Sequence, residues 1–368
     1  MQSNSLDLAA CAAFRPWTDA ASGITSYLLD PRVAPLQQSF YFTNRSLTDD
    51  GAYLWFYCAH PPGGNAYEGR TLGVLDVERE QVRWFPETQF RDASPMVGPD
   101  GVYWCWEYTV YRRGPAAHDE AVVVNAIPQQ IHRQRAGERL ATHLTLSGDG
   151  RELFLDASFG REWVCGSLPV DGGDFEIWQT FDRCYNHAQF HPHDPDLVLL
   201  AQDYWDDVAT GEHTGFDNRM WLLRRGEKAT PIYPEPRRIG HEWWAADGEH
   251  VWYVDYVAGT EKVHIHSGEK TNVWPAGNVH SHADADDRYL VGDIVLRETS
   301  SFAVAFYNIA TGRRVDIVTQ MPQIEPRYHV HPHPQFCVGD TWIAYTSSVH
   351  GRADVAVVPV AALIEATS

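Results

Sequence analysis

The chain has few of the features that mark several common protein classes. No window approaches the roughly 18 uninterrupted apolar residues of a membrane-spanning helix. The opening residues, MQSNSLDLAACAAFRPW, lack a basic stretch followed by a clean apolar core, so no secretory signal is expected and the chain reads as cytoplasmic. Its six cysteines (Cys11, Cys58, Cys105, Cys165, Cys184 and Cys337) are scattered without CxxC spacing, which fits reduced thiols better than a disulfide framework or a zinc knuckle. Positive charge is scarce: 29 Lys and Arg stand against 49 Asp and Glu, a formal net charge of −20. That balance argues against general nucleic-acid binding, and any anionic ligand needs a local cationic pocket. No long amphipathic stretch with clear caps is present either, so long helices are not expected.

What is abundant is aromatic and histidine residues. Runs such as AYLWFYCAH, GVYWCWEY and HVWYVDY alternate with period two and are bounded by Gly, Asp and Pro, the pattern of short strands. A long all-β chain invites a search for repeats. Seven segments share one outline: a small or His residue, three or four strand positions, a turn of the Asp-Gly type, then an aromatic strand. Their first residues are Asn44, Ser94, His143, His187, His241, His282 and His333, spaced 41 to 54 residues apart. Four-stranded propeller blades repeat at about 40–50 residues. The expectation is therefore an all-β, seven-bladed β-propeller forming a single closed domain over residues 1–368. Blades run from about residue 36 to 362, and the segment 1–35 is expected to help close the ring by pairing with the final strand around VAVVPV.

Five of the seven blade anchors are His, where composition alone would place about one-third of a His in seven positions. Each anchor opens the innermost strand of its blade, so the anchors converge on one mouth of the central channel. Two anchors have a second His two residues upstream, giving the pairs His280/His282 and His331/His333. In an extended chain i and i+2 point the same way, so each pair can offer two imidazoles to one ion, and Pro332 helps hold its segment extended. His329 continues the alternation and stands equally well on the rim. His191-Pro192-His193 has the same string in a different phase and is expected in a solvated turn. Several neutral imidazoles with few carboxylates suit a first-row divalent ion such as Mn, Fe, Co, Ni or Zn, rather than Ca or Mg. Arg219, at the start of the third strand of the His187 blade, could fork onto a carboxylate, or form a salt bridge to a neighbouring acid. Arg45 is a weaker second cation, and together with His143 it is expected on the substrate-binding side. Glu242 points away from the channel in a structural or orienting role.

The strings HAQFHPHDPDLVLL, NRMWLL, IGHEWWAADGEHVWYVD and HPHPQF followed by IAYTS resemble the oligogalacturonate lyases, seven-bladed propellers of bacterial pectin breakdown. The resemblance runs from about residue 35 to the C-terminus and is best over 187–346. It implies a manganese-dependent enzyme that cleaves short galacturonate oligomers, chiefly disaccharides, by β-elimination to unsaturated uronate products. It further implies metal ligands at His282, His331 and His333, with His241 and Arg219 at the scissile sugar; His187 is the reserve candidate for base or ligand, and His280 a further candidate ligand. Where the family has a Gln ligand three residues before the first His of HPH, this chain has Tyr328. Either His329 or His280 takes that place, or the metal geometry and substrate differ. Two other classes fit the composition: a metal-dependent hydrolase or isomerase of a sugar acid, and a non-catalytic propeller platform. The expected ligand is a small anionic oligosaccharide, with neither nucleic acid nor membrane as partner.

Overall fold

The computed structural model describes residues 7–65, 69–135, 137, 139–207, 210–232, 238–324 and 326–368. Among these, the strands form seven sheets of four or five strands and one small two-stranded hairpin, the architecture of a seven-bladed β-propeller. The innermost strands of blades one to seven are Leu36–Gln38, Met96–Gly98, Thr145–Leu146, Tyr185–Phe190, Ile239–Trp244, Asn278–Ala283 and Gln335–Cys337. Blade seven has five strands: Asp354–Pro359 pairs with Thr25–Leu29 through Tyr27↔Val357 and Leu28↔Ala356, and Phe14–Thr18 lies outside it. The N-terminal strands thus complete the sheet that carries the last inner strand.

Burial follows the strand order. The aromatic runs after the Asp-Gly turns form second strands such as Tyr53–Ala59 and His250–Asp255, whose side chains pack between neighbouring sheets. Trp55, Trp104 and Trp252 are almost wholly buried there. Outer strands are half solvated, as in Gln81–Phe90. All six cysteines are buried and free. Among the described residues α-helix is confined to Gln129–His132 and Val360–Thr367, with short 3-10 turns at Leu8–Ala10 and Pro326–Tyr328, and no helix is long and apolar enough to cross a membrane.

The register of the inner strands is set by one recurring hydrogen bond. The backbone N–H four residues past the anchor closes the turn into the second strand: Thr48 to Tyr53, Ser147 to Glu152, His191 to Leu197, Ala245 to His250 and Asp284 to Tyr289. Counting back from these donors gives Asn44, His143, His187 and His241 as expected, but His280 in blade six. The expected anchor His282 is therefore two residues late. The reason lies in the turn: Asp287, in the left-handed region (φ 55°), does there what Gly248 (φ 72°) does in blade five. An Asp-Asp pair replaces Asp-Gly, and the register is read correctly only when the first Asp is aligned with Asp247.

Candidate active site and metal centre

The anchors are brought to one end of the channel by irregular strand geometry. His187 and His241 sit in β-bulges of their inner strands, between Asn186 and Gln189 and between Gly240 and Trp243. Both residues have positive φ (52° and 54°), as do His333 (43°) and His329 (48°). Bulges re-aim a side chain and intensify local twist, and non-glycine residues held at positive φ carry a local cost that tertiary packing must offset. Tyr41 and Phe42, from the blade-one loop, plug the channel beneath the imidazoles. The Tyr41 ring lies 5.2 Å from that of His143, 6.0 Å from those of His187 and His280, and 4.9 Å from that of His333.

One group of imidazoles is close enough together to hold an ion. His280, His331 and His333 each offer a ring nitrogen, and these atoms lie within 4.8 Å of one another. His331 Nδ1 and His333 Nε2 are buried without a hydrogen-bond partner. Buried polar atoms are normally paired, so orphaned imidazole nitrogens converging on one point fit a borderline divalent cation. His333 does not continue extended after Pro332 but turns into the left-handed region, which is what folds its ring back towards His280, 4.3 Å between centroids. The Pro332 carbonyl is pinned by the N–H of Thr346 at 2.8 Å. Of the two residues that could stand in for the family Gln, His280 belongs to this cluster. His329 packs its ring 4.4 Å from that of His331, outside the three-residue set.

His282 is not among the clustered residues. Its Nδ1 accepts the N–H of Phe336 at 3.1 Å, and its ring faces Trp243. Residues i and i+2 share a strand face but stand roughly 6.6 Å apart along it, so the two rings occupy successive layers of the channel. Arg45 goes with His282: both line a separate cavity of about 430 Å³ that also includes Gln189 and Trp243, away from the ion cluster. Arg45, expected as a second cation, does not line the cavity that holds Arg219. Its guanidinium is partly exposed and pairs with Asp49 at 3.3 Å.

A third group forms a cavity of about 290 Å³ lined by His187, Asp203, Tyr204, Arg219, His241 and Tyr256, among others. Here the residues singled out from sequence, His187, Arg219 and His241, do meet. His241 Nδ1 lies 3.2 Å from the Tyr256 hydroxyl, and the ring is 4.0 Å from that of His280, which links this cavity to the ion cluster. Burial, aided by His280 and Arg219, holds the His241 pKa well below the usual imidazole range, so the ring is neutral at pH 7. His187 Nδ1 lies 3.1 Å from His143 Nε2; His143 is buried behind it, with its pKa pushed down to about 3 by burial. Arg219 is buried, and its fork is occupied. Nε and an Nη bond the two oxygens of Glu242 at 3.1 and 3.2 Å, and another Nη reaches Asp203 at 3.1 Å. The orienting role expected of Glu242 takes this form. His191 and His193 bond the Gly248 and Ala246 carbonyls in the blade-five turn, apart from the site.

Three contributors escaped the sequence reading. Tyr256 and Asp203 lie one residue past the second strands His250–Asp255 and Leu197–Gln202, at positions that no motif marks. Asp293 carried one usable signal: a lone carboxylate in the otherwise apolar strand YLVGDIVL.

No protein-family model matches the chain. It is 23% identical over 215 residues to the oligogalacturonide lyase of Pectobacterium atrosepticum and 22% identical over 192 residues to the oligogalacturonate lyase of Dickeya dadantii. The alignments cover 51% and 45% of this chain and 53% and 47% of those proteins, so the chain spans about half the length of the curated relatives it matches. Two solved structures superpose over 94% of this chain and 96% of their own. One is an oligogalacturonate lyase in complex with manganese (TM-score 0.74, 20% identity) and the other the oligogalacturonate lyase of Vibrio parahaemolyticus (TM-score 0.72, 18% identity). In sequence over about half its length, and in fold over nearly all of it, the chain is similar to the oligogalacturonate lyases and shares their seven-bladed propeller.

Proposed function

We propose that the protein is a divalent-metal-dependent lyase that cleaves short galacturonate oligomers by β-elimination, with manganese as the ion. The carrying observation is the junction of the His280/His331/His333 cluster with the cavity that holds His187, Arg219 and His241. β-Elimination of a uronate removes the proton at C5, α to a carboxylate and only weakly acidic. A divalent ion bound at the three imidazoles would supply Lewis-acid relief of the carboxylate charge.

The chain's own residues do the rest. His241, neutral at pH 7, takes the C5 proton as general base; the C5–H electron pair becomes the C4–C5 double bond as the C4–O bond breaks, and the departing oxygen takes a proton from solvent. The Tyr256 hydroxyl beside Nδ1 orients the imidazole. Burial and the neighbouring Arg219 also hold His187 neutral, and it lines the same cavity as the reserve base. Arg219, held on both sides by Glu242 and Asp203, is a positioned cationic part of the cavity wall. Ordered dipoles and immobile charge of this kind stabilise developing charge without reorganisation during the reaction. The similarity to a manganese-bearing lyase supports the choice of ion, as do three borderline nitrogen ligands.

Comparing two variants tests this assignment. His241→Ala should lower turnover of digalacturonate roughly 100- to 10,000-fold while metal content stays at the wild-type level. His280→Ala should lose the ion and the activity together. Loss of metal from His241→Ala would reassign His241 as a ligand.

A further inference from the structure

We propose that Asp293 is the positioning residue of the metal centre, setting the tautomer of His280 and clamping the His331–His333 segment against it. The inference rests on the metal-dependent reading above. Asp293 lies on the second strand of blade six, Tyr289–Leu296, and is fully buried. Its two oxygens lie 3.1 and 2.9 Å from His280 Nδ1. One also accepts the His280 backbone N–H at 2.9 Å, and the other the His333 N–H at 3.3 Å, across the blade boundary. An ionised carboxylate only accepts, so the imidazole hydrogen is drawn to Nδ1 and the lone pair stays on Nε2. Ligating histidines are commonly held in this way, and the outer partner fixes both tautomer and ring orientation. The same carboxylate therefore sets the ring of one ligand and the backbone of another.

The fold contains its own comparator. Asp156 occupies the equivalent place in blade three, thirteen residues after the anchor His143, as Asp293 is after His280. It too is fully buried and joins two blades, accepting the N–H groups of Thr142 at 2.7 Å and Ala188 at 3.1 Å. Yet no ring bonds it, and His143 Nδ1 has no partner. Stapling adjacent blades is thus common to both positions, while holding an imidazole belongs to Asp293 alone.

Manganese binding, measured by chelator competition on the wild type, Asp293→Asn and Asp156→Asn, separates the two roles. The expected result is one ion per wild-type chain, an affinity about 10- to 100-fold weaker in Asp293→Asn, and wild-type affinity in Asp156→Asn. Melting of the metal-free variants should show a similar loss for both, since each loses a blade staple. Wild-type affinity in Asp293→Asn, or equal weakening in both variants, would overturn the positioning role while leaving the metal-dependent reading in place. Absence of manganese binding by the wild type would overturn both. Nitrogen-15 NMR of the metal-free wild-type histidines gives an answer independent of variant folding: the His280 proton is expected on Nδ1, and its appearance on Nε2 would overturn the proposal.

Discussion

At the scale of single residues, the site is organised by carboxylates that hold its buried cation and one of its imidazoles. Glu242 and Asp203 saturate the Arg219 fork, and Asp293 holds His280. Removing one partner from a buried charged contact leaves the other unpaired, which costs about 1–3 kcal/mol or more. Arg219→Lys should therefore lower stability by about that amount, because a single ammonium cannot serve both carboxylates with bidentate geometry. Urea unfolding measures the loss, and turnover should fall with it; an unchanged midpoint would mean that the fork does not support the cavity wall. Anchor histidines such as His143, His187 and His241 were legible in the sequence because they stand at a fixed offset from a turn, whereas the blade-six anchor was placed two residues late. The carboxylate partners were not legible: Asp293 meets His280 only through strand pairing, and the two acids on Arg219 come from different blades. Sequence reading could offer a substrate or a salt bridge for Arg219. The fold favours the salt bridge.

At the scale of elements, the bulges and turns decide which side chains meet. Gly240 precedes His241 in a bulge, and a Cβ there would stand 2.6 Å from the Tyr256 hydroxyl oxygen. Gly240→Ala should displace Tyr256 from His241 and lower turnover by up to about 100-fold, with manganese affinity unchanged. Kinetics beside a chelator competition check both halves; undiminished turnover would show that the Tyr256 contact is dispensable. The same scale explains the misplaced anchor of blade six. Asp-Gly turns announce themselves through glycine's tolerance of positive φ, whereas Asp287 adopts that conformation without the glycine signature. His282, one layer along the strand, entered the expected metal set through strand alternation and through the family resemblance; alternation sets a side chain's face but not its depth in the channel.

At the scale of the whole molecule, many imidazoles are kept neutral by burial. His143 and His282 have pKa values pushed down to about 3, against 6.5 for an ordinary imidazole. A depressed folded-state pKa contributes stability above the unfolded value and loses it as pH falls, because the unfolded chain takes up protons first. Asp156 and Asp293, raised to about 6 by burial, work in the opposite sense, losing their contribution as pH rises through 6. His187, His241, His280 and His333 are also depressed, so the histidines outweigh the two acids. Thermal melting temperature should fall steadily from pH 6.5 towards 4.5; a stability maximum below pH 5 would contradict this balance. Closure of the ring makes a further demand. Deleting residues 1–30 removes two strands of the closing sheet and exposes the edge of Asp354–Pro359, so the truncated chain should melt lower and aggregate. Blade number and this closure were readable because repeat spacing and strand composition are local properties. The aromatic plug of Tyr41 and Phe42 was not, since nothing local marks a loop that turns into the channel.

One measurement tests whether the ion cluster serves elimination at the adjoining cavity. Digalacturonate incubated with the manganese-loaded protein, with and without excess chelator, should give a rise in ultraviolet absorbance from the conjugated unsaturated product only while the ion is present. Manganese-loaded protein that leaves digalacturonate intact, or that splits it without the absorbing product, would contradict the lyase assignment.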